Sequence, residues 1–303
     1  MIVRPRPSAI GLLFILRGST IPAIAPELLA ILVLAAAVVW LHQSAPGWFV
    51  DLTPTPFTLL GLALSIFLGF RNNACYERWL EARLEWGRLL SETRAFTRDL
   101  LSLMPSDKST QRRMATRTIA FAHALRSQLR GDGSLSARDW LAPEEWDRIA
   151  LSAGWPDAIL RAQSDELGAA LRRGEISDIL YRLFSDRLAV MTAMQTVCER
   201  LQSTPMPFAY TLLLHRTAWL FCLLLPFGLV SSLGFATPVV TVILAYTFFG
   251  LDALGQELEE PFGVSPHGVP LDALVRSIEI ATLDALGDTA LPPPLLPQGY
   301  VLL

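Results

Sequence analysis

The sequence predicts an all-α, polytopic membrane protein with four membrane-crossing helices and a helical, water-exposed domain. Three observations carry that prediction. Of the 303 residues, 52% are hydrophobic and 17% charged, more apolar than a soluble globular chain ordinarily is. The apolar residues gather into long uncharged runs at the two ends of the chain, while 20 of the 25 Lys+Arg and 18 Asp+Glu fall within residues 71–200. No stretch shows the alternating pattern of a half-buried strand, and three- and four-residue steps dominate instead.

Arg4, Arg6 and Arg17 flank a short apolar run, IGLLFIL, which reads as an uncleaved amphipathic N-terminus because a signal peptide needs a longer apolar core and a small-residue cleavage site. Residues 28–50 are 23 without a charge, and with 21–26 leading in they make the first membrane helix, Trp40 and Trp48 suiting the interface at its far end. Asp51 and the TPTP turn reverse the chain. Between Asp51 and Arg71 lie 19 uncharged residues, enough for about 28 Å of helix, close to the thickness of a bilayer's hydrocarbon core.

That second helix continues past Phe70 into water: Trp79, Trp86, Leu89, Thr93, Phe96, Leu100 and Leu103 keep the helical period. Glu77, Glu81 and Glu85 form a row interleaved with Arg78, Arg83 and Arg88, the pattern of a solvated or salt-bridged face. Further helices are expected over 112–129, ended by GDGS, and over 143–153, 156–172 and 175–201. Residues 217–251 are 35 without a charge, about 52 Å as one helix and too long for one crossing. Gly228, Ser231, Ser232, Gly234 and Pro238 divide them into a hairpin that starts near Phe208 and ends near Leu254. A last helix is expected over 270–286, followed by an extended tail, PPPLLPQGYVLL, free or packed on a neighbouring subunit. The organisation expected is 1–70 for the first two membrane helices, 71–204 for the helical domain, 205–254 for the second pair, and 255–303 for the last helix and tail.

Two rows run along the second helix at four-residue spacing. Gly61, Ser65 and Gly69 form a small-residue row suited to close helix packing in lipid. Leu62, Ile66 and Phe70 form a large apolar row, and spacing alone fits either contact with lipid and other helices or a narrow axial pore.

The run PFTLLGLALSIFLGFRNNACYERWLEAR resembles the signature of bacterial bestrophins, a family of pentameric ion channels. The likeness recurs in register at RGSTIPAIAPELL, CERLQSTPMPFAYTLLLHR and GLDALGQELEEPFG, and covers most of residues 10–286. It implies a homopentamer in the bacterial inner membrane, with Leu62, Ile66 and Phe70 at the apolar neck of the pore. It also implies a second, cytosolic constriction in the motif GEISDIL, at Leu180 or alternatively Ile176. Chloride is the ion the family is best known for, and the acids that flank the membrane helices leave cation permeability open. In animal bestrophins the region matching DALGQELEEPFG supplies a calcium site. Here Glu257, Glu259 and Glu260 are candidate hard-cation ligands, but the long acidic run is missing and Pro261 follows at once, so a solvated acidic turn is the default reading.

No P-loop, GxGxxG, HExxH or G-x-S-x-G is present, the four histidines lie far apart, and Cys75, Cys198 and Cys222 form no CxxC. Neither an enzyme nor a cofactor is expected. The charge balance of the middle segment speaks against nucleic acid, which leaves self-association, inorganic ions and lipid as partners. A membrane-anchored scaffold that conducts nothing is the rival reading. Basic residues before the first helix and after the second, with none in the connecting hairpins, place both termini and the 71–200 segment in the cytoplasm.

Overall fold

The structure, a computed structural model, describes the chain except for residues 6, 7, 17, 46–52, 54, 105 and 106. The readings placed on Arg6, Arg17, Trp48 and Asp51 lie outside the described residues. The all-α class holds: among the described residues there are ten α-helices, two 3-10 turns and no strand. They are α1 (Ala9–Leu13), α2 (Ile21–Ser44), α3 (Thr55–Leu103), α4 (Lys108–Arg130), α5 (Pro143–Ala150), α6 (Trp155–Arg172), α7 (Asp178–Ser203), α8 (Phe208–Leu233), α9 (Thr237–Glu259) and α10 (Leu271–Ala285). Length and composition suffice for a membrane crossing in three stretches, Ile21–Ser44, Thr55–Leu103 and Phe208–Glu259. The last is broken into α8 and α9 at Gly234, whose φ of +49° only glycine adopts freely, followed by a 3-10 turn and a proline in the first turn of α9.

The chain forms two compact units. One comprises Arg4–Trp79 and Pro205–Pro261, and the other Met1–Val3, Leu80–Thr204 and Phe262–Leu303. Both divisions fall several residues beyond the expected ones at 70 and 254, because Arg71, Cys75 and Asp252 are buried within the first unit and α9 runs on to Glu259.

In the first unit α2, α3, α8 and α9 share an apolar core of Ile24, Ile31, Leu64, Leu68, Leu214, Phe221, Leu225, Phe248 and Phe249. Phe221 meets Phe248 edge-on with ring centres 5.2 Å apart. Two glycines at contacts of α3 with α8 leave little or no room for a side chain. A Cβ on Gly228 would lie 2.4 Å from the Phe57 ring, and one on Gly61 would lie 3.1 Å from Phe221. The outward faces of α2, α8 and α9 carry exposed large apolar residues such as Val33, Leu213 and Val239, as a lipid-facing surface requires.

In the second unit α4 is the central helix, in contact with α6, α7 and α10. Its start is fixed by Asp107, whose side chain accepts from the Ser109 amide at 3.0 Å, and its end by Gly131 at φ +63°. Hydroxyl donors from Thr110 and Ser109 hold the Asp107 carboxyl below the usual carboxylate range. Met114, Ile119 and Phe121 are fully buried, and Phe96 packs edge-on against Phe184 at 5.7 Å. Arg187 of α7 reaches Glu92 at 3.0 Å and Asp99 at 3.1 Å on α3. The row that begins at Glu77 is thus not uniform: Glu81 pairs with Arg200 at 2.7 Å and Glu85 is half-buried.

The tail departs from the expectation of a free or subunit-packed segment. The Val3 amide donates to Tyr300 at 2.9 Å, the Leu302 amide to Met1 at 2.8 Å, and the Ala273 amide to Leu303 at 2.9 Å. The end of the tail is therefore pinned to the chain's own first residues and to α10. All three cysteines are free and buried. Burial, with Glu85, Glu199 and Glu81 nearby, pushes the Cys198 thiol up to about 12, so it stays protonated and unreactive at neutral pH.

Candidate functional site

Leu62, Ile66 and Phe70 all stand free on one side of α3, 59%, 48% and 65% exposed, while Leu64, Leu68 and Arg71 on the opposite side are buried. The helix thus has one face committed to the core of its own chain and one face, carrying the apolar row, with no partner among the described residues. The rotation of α3 that produces this is held by charge as well as by packing. Arg71 is wholly buried, and its guanidinium reaches Asp252 Oδ1 at 2.6 Å and Glu259 Oε2 at 3.5 Å. The other Asp252 oxygen lies 2.8 Å from His215 Nδ1, so the cluster joins α3, α8 and α9. A Cβ on Gly255 would lie 2.5 Å from Asn72 Oδ1 and 3.2 Å from Arg71, which explains a glycine there in α9. Because Arg71 directly follows Phe70, tying the one inward turns the other outward, about 100° round the helix.

This cluster is the structural feature that residue-by-residue reading missed. The signal was present: Arg71 ends one uncharged run and Asp252 ends another, and opposite charges at the margins of apolar runs seek each other. It also removes Glu259 from the candidate cation ligands. One of its oxygens faces Arg71 and the other accepts from the Met206 amide at 3.1 Å. Glu260 is exposed at the end of α9, Glu257 is engaged elsewhere, and among the described residues no group of three His, Cys, Asp or Glu is placed to hold a metal.

The small-residue row is not one contact surface within the chain. Gly61 meets Phe221, the Ser65 hydroxyl donates to the Gly61 carbonyl at 2.8 Å, and a Cβ on Gly69 would meet nothing within 4 Å. Closer approaches that need glycine are on α8 and α9, at Gly228 and Gly255.

In the motif GEISDIL, Ile176 is only 4% exposed and Leu180 is half-buried, whereas Ile179 is 80% exposed. Ser177 caps α7, accepting from the Leu180 amide at 3.3 Å. The residue before an N-cap is the one that staples inward, and Ile176 occupies that place. A side chain without free surface lines no opening, so Ile176 drops out and the exposed apolar residue of the motif is Ile179.

The sequence profile of the bacterial/fungal bestrophin proteins matches residues 1–284. The chain belongs to the bestrophin family. The resemblance carried by the four sequence motifs is borne out over nearly the whole length. A voltage-dependent anion channel-forming protein of Mesorhizobium japonicum is 46% identical over 301 residues, 98% of this chain and 95% of that protein. The voltage-dependent anion channel-forming protein YneE of Escherichia coli K12 is 39% identical, covering 99% of each chain. Among solved structures, a bacterial bestrophin homologue from Klebsiella pneumoniae superposes with a TM-score of 0.85 at 39% identity, over 88% of this chain and all of the other. This bestrophin is a membrane protein by family and by its apolar helices.

Proposed function

We propose that this bestrophin is an anion-conducting channel: a homopentamer in the bacterial inner membrane in which each chain crosses four times, through α2, the first part of α3, α8 and α9, and five copies of α3 surround the axis. The observation that carries this reading is the full-length match to relatives named as anion channel-forming proteins. The unpartnered face of α3 supports the path: Leu62, Ile66 and Phe70 form its apolar neck, a narrow ring that opens and closes by wetting. Leu180, half-buried, and Ile179, free beside it at the start of α7, are the apolar residues for a second constriction. Ser65 and Gly69, open in the single chain, suit contact between neighbouring subunits, where the absence of side-chain bulk lets helices approach.

Native mass of the detergent-solubilised protein, with currents from the same preparation in planar bilayers, tests this directly. Five chains and anion-dependent currents are expected. A monomer without current would put the membrane-anchored scaffold in its place. The basic residues before α2 and after the membrane-crossing part of α3 support an orientation with residues 71–200 and both termini in the cytoplasm. With the native cysteines buried, Asp132→Cys in intact cells should resist a membrane-impermeant thiol reagent, and labelling from outside would reverse the orientation.

A further inference from the structure

We propose that Glu77 is a specificity-determining residue of this pore, a carboxylate that each chain places at the cytoplasmic mouth of the neck, where it favours cations and restrains anions. The inference rests on the channel reading above. Its geometry is that of one helix. At about 100° per residue, Leu62, Ile66 and Phe70 span an arc of about 80°, and Asn73 and Glu77 fall at about 20° and 60° within it. Both are exposed, while Arg71 and Cys75, on the far side of the same turns, are buried. A symmetric arrangement in which α3 runs along the axis and turns the three apolar residues to it therefore turns Asn73 and Glu77 to it as well. Glu77 is the first charge on that arc after Phe70, about 10 Å further along the helix.

The state of the carboxylate distinguishes it from Asp252, Glu259 and Glu81. Asp252 and Glu259 are held by Arg71, and Glu81 by Arg200. Glu77 instead accepts from the Asn73 side-chain amide at 2.8 Å, a neutral donor that fixes the carboxylate in place without cancelling its charge. Among the described residues no cation pairs with it. Five such groups around a narrow opening add their fields, and an opening lined by one sign of charge concentrates the opposite ion by roughly tenfold or more. The neck sets whether the path is wet. Glu77 sets which ion waits beneath it.

The test compares parent and Glu77→Gln in planar bilayers under a KCl gradient, reading the chloride-to-potassium permeability ratio from the reversal potential. Gln keeps the acceptor for Asn73 and removes only the charge. The ratio should rise by roughly tenfold at low salt, and the difference should shrink toward 1 M, where screening shortens to about 3 Å. Glu77→Cys gives a second reading, since the native thiols are buried. Modification by an anionic thiosulfonate should return the ratio toward the parent value, and a cationic one should drive it further toward chloride. A parent that conducts, with the same ratio in Glu77→Gln and after either modification, overturns the role of Glu77 alone. A parent that conducts nothing overturns the channel reading and this one with it.

Discussion

Shortening Leu62, Ile66 and Phe70 together to Ala should raise the current per assembled channel by about an order of magnitude or more. The three residues lie on one exposed face of α3 over about two turns, so in a ring of chains the substitution strips apolar bulk from three successive levels of the same passage. A constriction closed by dewetting depends on that bulk, and a barrier lowered by only about 1.4 kcal/mol multiplies flux roughly tenfold. Residues facing lipid behave otherwise, because truncating them alters insertion or stability and leaves conduction alone. Val33, Val239 and Ile243 provide the comparison, being equally exposed on α2 and α9. Planar-bilayer currents at equal incorporation, with assembly checked by native mass, should separate Leu62→Ala/Ile66→Ala/Phe70→Ala from Val33→Ala/Val239→Ala/Ile243→Ala. Equal currents in parent and in the α3 variant would remove the neck from this face even if the protein conducts.

What could be read in the sequence divides along a physical line. The apolar runs, the hairpin at Gly234 and the Gly131 end of α4 are local: each is written in a few consecutive residues, and each appears in the structure, whereas α4 starts at Lys108, four residues before the expected start. The row of Leu62, Ile66 and Phe70 was legible because helical periodicity alone places the three together. Its exposure was not, since spacing says which residues share a face and nothing of what covers that face. The same gap holds for Gly61, Ser65 and Gly69, of which only Gly61 meets another helix among the described residues. In GEISDIL spacing alone does not say which apolar residue stays exposed. The capping Ser177 decides it by turning Ile176 inward and leaving Ile179 out, a signal that four consecutive residues did carry. Asp252 stands 181 residues from Arg71, and no local pattern joins residues so far apart.

That buried pair supports the second large expectation: Arg71→Ala should destabilise the unit formed by α2, α8, α9 and the start of α3 by about 3–5 kcal/mol, the usual cost of stranding a buried charge. With the guanidinium gone, Asp252 keeps His215 at 2.8 Å and the neutral Gln256 amide at 3.5 Å, and Glu259 keeps only the Met206 amide, so two carboxylates lose the cation that they share. The loss is one of pairing rather than of volume, and this yields a discriminating control. Arg71→Met with Asp252→Leu removes both charges and fills much of the space, and replacing a buried pair by apolar residues is often close to neutral. The melting midpoint of the purified protein in detergent should fall by several degrees for Arg71→Ala and recover most of that fall in the double variant. The pair also fixes the rotation of α3, with Arg71 inward and Phe70 outward, so single-channel currents of Arg71→Ala should become heterogeneous where those of the double variant stay uniform. An Arg71→Ala protein that melts with the parent would show that the apolar core alone holds α3 in place and that the ion pair contributes nothing to the neck.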